Sequence, residues 1–270
     1  MMYFKELLRV RKALLWYTIT VALIAGFIVI VALVSPPDSN AHTDVVRIKH
    51  TDHGVVTTST ARLDEVPWAA LFGGAGFVAA IMATVLGSTL AQENAHLEVA
   101  WTKPRSRTRY ATTLMAVDAA GIIIAQLIAF ALIVVPIVLF GKGERLANGP
   151  DDALNVVRFL LFPLAWYGLI VAFTASVRGR AGMVQGLIWP ITLTLAVLGQ
   201  VPLPQIWHRI FAAINAINPV SYIEYRSHGS DVHIITSAGL PNVVLAAVVL
   251  ALMVAVSWWA ATFQWRRLQA

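Results

Sequence analysis

Long apolar runs alternate with short polar segments along the whole chain, and the runs are longer than a soluble core needs. A helix must hold roughly 20 mainly apolar residues to cross about 30 Å of hydrocarbon. Six stretches meet or approach that length: 14–34, 68–91, 110–140, 153–177, 183–199 and 243–263. The second is rich in Gly and Ala. The third is longer than a bilayer requires, so it tilts or projects beyond it. The fifth is short and contains Pro190. The pattern predicts an all-α polytopic membrane protein with six transmembrane helices in a single transmembrane domain over 1–270.

The segments between the runs carry their own patterns. In 1–13, Phe4, Leu7 and Leu8 form a stripe that continues to Leu14 and Leu15, with Lys5, Glu6, Arg9 and Lys12 elsewhere. That is the pattern of an amphipathic helix lying in the membrane interface. The following run is too long for a signal-peptide core, so it reads as an uncleaved first helix. In the loop 35–66, two β-favouring runs, 45–49 and 55–58, flank Thr51-Asp52-His53-Gly54 and predict a small hairpin. In 200–240, Ile206, Trp207, Ile210, Phe211, Ile214 and Ile217 recur at three- and four-residue spacing. This apolar face is too short to cross, so a re-entrant or interfacial helix is expected, ended by Asn218-Pro219.

Composition and charge sharpen this reading. Hydrophobic types make up 58% of the 270 residues and charged types 13%, and mean hydropathy is +0.72. Soluble domains carry about 25% charged residues, so a water-soluble globule and a disordered chain are both excluded. Cys is absent, which removes disulfides, thiolate metal sites and cysteine nucleophiles. With both termini cytoplasmic, twelve Lys and Arg fall in the short inner segments and eight in the long outer segments and span edges. This is the asymmetry of the positive-inside rule. It accounts for the formal charge of +6 without a nucleic-acid partner. Placement is expected in the cell membrane.

Candidate chemistry is sparse. No Gly-x-x-x-x-Gly-Lys-[Ser/Thr], His-Glu-x-x-His or Gly-x-Ser-x-Gly occurs, so no catalytic, cofactor or metal residue is assigned. His42, Asp44, His50, Asp52 and His53 gather in the first outer loop, but their spacing matches no established zinc signature. Two polar residues fall inside the third span, Asp118 and Gln126. A charge in hydrocarbon is expensive and marks a functional position by default, unless the helix starts deep enough in the cytoplasm to leave Asp118 at the interface. Gln126 is expected to hydrogen-bond between helices.

The inner segment 92–109 is the most structured text in the chain. Glu93, Leu97 and Trp101 fall on one helical side, Pro104 stops the helix, and a cationic run that includes Arg105 and Arg107 follows. Here the sequence resembles the permease subunits of ABC-2 type transporters. An acidic residue after the second span, a Leu-Glu pair, then a Pro and an Arg before the third span are matched by Glu93, Leu97-Glu98, Pro104 and Arg107. Two departures stand out: Ala95-His96 replaces the Gly-Thr often found before the pair, and a Lys often found early in the third span is absent. The resemblance covers the chain from end to end and implies a cytoplasmic coupling helix over the Glu93 to Arg107 segment. It implies two cytosolic ABC ATPase subunits as partners, with ATP and Mg bound there and no cofactor on this chain. It further implies a second permease copy or a related permease completing an export path. The other classes open to such a sequence are an intramembrane lipid-modifying enzyme and a membrane assembly subunit that transports nothing.

Overall fold

The structure, a computed structural model, describes residues 2–34, 45–52, 55–62, 66–89, 107–139, 146–147, 151–176, 181–198, 204–223 and 243–267. Seven α-helices are described: α1 (Met2–Val34), α2 (Trp68–Thr89), α3 (Arg107–Leu139), α4 (Asp152–Ser176), α5 (Ala181–Leu198), α6 (Gln205–Ala216) and α7 (Val243–Arg267). A 3-10 turn spans Pro219–Tyr222. The strands are β1 (Val45–Asp52) and β2 (Val55–Arg62), which form an antiparallel hairpin, and β3 (Val66–Pro67) and β4 (Leu146–Ala147), which form a two-residue parallel pair. Asp52 stands opposite Val55 at the last described pair of the hairpin.

Five helices are long and apolar enough to cross a membrane: α1 through its Leu7–Phe27 stretch, then α2, α3, α4 and α7. The Gly182–Leu198 stretch of α5 is apolar but shorter. Many large apolar side chains point outward, among them Leu23, Phe27, Leu139, Leu252 and Trp259. Such a surface is stable against acyl chains and not against water.

The first element differs from the sequence expectation. The interfacial helix predicted over 1–13 is not separate from the span, because α1 is one continuous helix of 33 residues. No Pro interrupts it and its first Gly is Gly26, so nothing provides a corner between an interfacial and a crossing segment.

The core forms where α2, α4 and α7 meet. Along α2, the residues Ala69, Gly73, Gly76, Ala80, Ala83 and Gly87 recur at alternating intervals of four and three, and all are buried. A 3.5-residue repeat of small side chains keeps one seam of the helix against its neighbour and lets the backbones approach closely. That neighbour is α4. A Cβ on Gly73 would come within 2.9 Å of the Phe159 ring, and one on Gly87 within 2.9 Å of Ile170. The α2 and α4 contacts keep nearly constant sequence offset (Gly73 with Phe159, Thr84 with Trp166, Gly87 with Ile170), so these helices run in parallel. The same reasoning makes α1 and α3 parallel, since Arg9 meets Asp118, Val10 packs on Gly121, and Val21 clusters with Ala129. In contrast, α5 runs opposite to α2: Gln185 reaches Ser88 and, one turn later, Trp189 reaches Thr84. On α7, Ser257 and Trp258 pack against Gly168. Val243 and Ala246 are buried as well. If α7 ran opposite to α4, those two would lie past the Ser176 end of α4, so α7 runs with α4. Thus α1, α3 and α5 point one way and α2, α4 and α7 the other.

On the far side from Arg9, two asparagines fasten α6 and the 3-10 turn to α5. Asn215 Nδ2 donates to the Leu195 carbonyl at 2.9 Å, and Asn218 Nδ2 donates to that of Thr192 at 3.0 Å. Leu195 lies in the last turn of α5, where carbonyls lack helical donors. Asn218 Oδ1 also accepts from the Val220 N–H at 3.2 Å and so caps the 3-10 turn ahead of Pro219. The expected short outer helix thus ends at Ala216, and Ile206, Trp207, Ile210 and Ile217 remain exposed.

Candidate functional site

Asp118 sits 11 residues into α3, about 16 Å from its first turn, and is fully buried. Its two carboxylate oxygens each accept from Arg9 Nη2 at 2.7 Å. Oδ2 also accepts from the Tyr167 hydroxyl of α4 at 2.8 Å. The other guanidinium nitrogen, Arg9 Nη1, donates to Thr89 Oγ1 at 2.9 Å and to the Leu86 carbonyl at 3.2 Å. Leu86 belongs to the last four residues of α2, whose carbonyls have no intrahelical donor and carry the negative end of the helix dipole. Gly87, in the same turn, has its carbonyl met by Thr174 Oγ1 of α4 at 3.2 Å. One arginine therefore neutralises a buried carboxylate and caps a helix end. It joins α1, α2 and α3, and Asp118 extends the network to α4.

A second polar group lies beside the first, between α2, α4 and α5. Thr84 Oγ1 accepts from the indole N–H of Trp166 at 2.8 Å and from that of Trp189 at 3.0 Å, and donates to the Ala80 carbonyl at 2.9 Å. A hydroxyl has one donor and two acceptor sites, so this one is saturated. The two indoles lie 4.5 Å apart by centroid, and Phe77 meets Trp189 edge-on at 5.1 Å. One turn along, Gln185 Nε2 donates to Ser88 Oγ, which itself donates to the Val85 carbonyl at 3.0 Å. These contacts hold α5 to the bundle, although α5 is otherwise largely exposed.

Gln126 has a different task. Its Nε2 donates to the Phe159 carbonyl at 3.1 Å and to the Phe72 carbonyl at 3.4 Å. Pro163 stands four residues after Phe159 inside α4. A proline has no N–H, so the Phe159 carbonyl loses its helical donor. Gln126 supplies the missing one from the adjacent helix, as polar side chains do where water is excluded. Gly76 makes room for this, since a Cβ there would come within 2.9 Å of that carbonyl and 3.0 Å of Gln126 Nε2.

Of the residues singled out from the sequence, Asp118 and Gln126 lie in the bundle interior, each at a junction of three or more helices. The two are not joined to each other by any described hydrogen bond. Glu93, Leu97, Glu98, Trp101, Pro104 and Arg105 lie outside the described residues, and Arg107 opens α3. His42, Asp44 and His53 also lie outside them, and among the described residues no group of three or more His, Asp or Glu stands together. Sequence reasoning missed Arg9, Thr84 and Ser88, and it read Tyr167 as a packing or belt residue without its bond to Asp118. Arg158, which lies within α4, is 1% exposed, with its guanidinium 4.8 Å from the centre of the Phe159 ring.

The arrangement is suited to holding helices together and to passing force among them. The Asp118 oxygens are engaged by cation and phenol. The class the fold defines is a multi-pass helical membrane protein with a charged clamp at one end of its bundle. No protein-family model, no curated protein and no solved structure matches the chain.

Proposed function

We propose that the chain is the membrane-spanning permease subunit of an ATP-driven exporter of the ABC-2 type. In this reading the Arg9 side is cytoplasmic and the membrane is the cell membrane. There are six crossings, α5 included, and both termini are inside. α4 and α7 run in the same direction, so the chain must return between them. α5 has that direction, and at 18 residues it is about 27 Å long, close to the hydrocarbon thickness. The chain itself hydrolyses nothing. Two cytosolic ABC ATPase subunits bind ATP and Mg, and a second permease copy or a related permease completes a path for an amphiphilic substrate.

One observation carries the reading. The segment 90–106 leaves α2 at Thr89 and enters α3 at Arg107, and Arg9 binds both flanking helices, through Thr89 and Asp118. A push on that segment is delivered to a clamped set of four helices and does not dissipate in one of them. A membrane subunit driven from outside needs such a rigid receiver, and Trp and Arg are among the usual residue types at binding hot spots. The test is co-purification from native membranes. Glu93→Lys or Trp101→Ala should lower recovery of the ATPase severalfold while membrane insertion stays intact. Unchanged recovery with both variants refutes the docking role.

A further inference from the structure

α1 turns its cations two ways. Val10 seats against Gly121 so closely that a Cβ there would come within 2.5 Å of Val10 Cγ1. That seat, with Ala13, Leu14, Tyr17 and Val21 packed on the core along the same side, sets the rotation of the helix. Arg9 consequently faces Asp118, while Arg11 and Lys12 face away and are exposed. Among the described residues neither has an acidic partner. On the same side follow Leu15, Trp16, Ile19 and Leu23, exposed by 53, 61, 43 and 70%. From Lys12 to Leu23 the helix rises about 16 Å, close to half of a hydrocarbon core roughly 30 Å thick. The face thus carries two cations, then an indole, then an aliphatic track, and its length is close to the thickness of one leaflet.

We propose that this face of α1 binds an anionic phospholipid from the leaflet on the N-terminal side. Arg11 and Lys12 hold its headgroup, and the Trp16 indole lies at the glycerol level, where amphipathic rings concentrate. An acyl chain runs along Leu15, Ile19 and Leu23. Charge selects the occupant. A helix of another polypeptide would strip water from two cations and would have to bring its own buried acids to meet them. A zwitterionic headgroup brings an ammonium of the same sign. An anionic headgroup adds attraction without either cost. The inference requires α1 to lie in a bilayer and is independent of any transport activity.

Native mass spectrometry of the full chain in mild detergent tests it, with phosphatidylglycerol and phosphatidylcholine supplied at equal concentration. Wild-type protein should favour phosphatidylglycerol about tenfold or more, as expected for two cations near an anionic surface. Arg11→Gln/Lys12→Gln should abolish the preference. The swap Arg11→Lys/Lys12→Arg and the distant Arg209→Gln should keep it. If the double glutamine variant does not insert, each single variant should still lose about fivefold. Equal retention of the two lipids by wild-type protein, or an equal loss in Arg209→Gln, overturns the proposal.

Discussion

A carboxylate taken out of water must find its solvation in the protein, and around Asp118 that solvation comes from Arg9 and Tyr167. Removing one partner of such a pair leaves the other charged and buried, which costs about 3–5 kcal/mol, whereas an apolar replacement of both is often tolerated. Asp118→Leu and Arg9→Met are therefore each expected to destabilise the bundle by about that amount. The double variant should recover most of the loss, and Tyr167→Phe should cost about 1.5–3 kcal/mol, as for a hydrogen bond to a charge. Denaturant unfolding in mixed micelles reads all four. Additive single effects would mean that the two charges do not compensate each other. Asp118 was legible in the sequence because it stands alone in a long apolar run. Arg9 was not. It lies within one turn of Arg11 and Lys12, and nothing in composition separates the three. The packing of Val10 on Gly121, and of Ala13, Leu14, Tyr17 and Val21 further along α1, turns one of them inward.

Whole elements were legible where a local pattern sufficed: the long spans, the hairpin, and the short apolar helix that ends ahead of Asn218-Pro219. Partnership between elements was not, because it depends on which faces meet. Gln126 and Pro163 illustrate the difference. Each is conspicuous alone, yet their relation appears only when α3 lies against α4 and the amide meets the carbonyl that Pro163 has left without a donor. That relation makes a prediction about the pair. Gln126→Leu should cost about 0.6–1.7 kcal/mol, between the average and the largest coupling found by double-mutant cycles for such bonds in a helical membrane protein. In a Pro163→Ala background the helix regains its own N–H, so the same substitution should cost clearly less. Equal cost in both backgrounds, measured by unfolding in micelles, would separate Gln126 from the proline. The seam between α2 and α4 was visible in the sequence as Gly and Ala enrichment. Its period of 3.5 is the stronger signal, because it says that the small residues share one face.

At the scale of the whole molecule, direction decides the count of crossings. Helices α1 and α3 run away from the Arg9 end, and α2 and α4 run back. α7 runs back as well, since Ser257 and Trp258 lie beside Gly168 while Val243 and Ala246 remain buried. In the proposed six-crossing reading, two consecutive returns require an outward passage between them. α5 is the only described helix between α4 and α7 that starts beside the Arg9 end, where Gln185 meets Ser88, and ends beside α6, where Leu195 meets Asn215. Its Pro190 and its modest length weaken it as a free-standing crossing. The bonds from Gln185 and Trp189 to α2 compensate by fixing it laterally. Because the chain has no cysteine, single cysteines report sidedness without background. Gly182 and Gln205 are both exposed and flank α5 at its two ends. With α5 crossing, a membrane-impermeant maleimide added to intact cells should label Gln205→Cys and spare Gly182→Cys, and permeabilised cells should label both. Labelling of both in intact cells would leave α5 on one face of the membrane. The six-crossing reading with α5 as the outward passage would then fail.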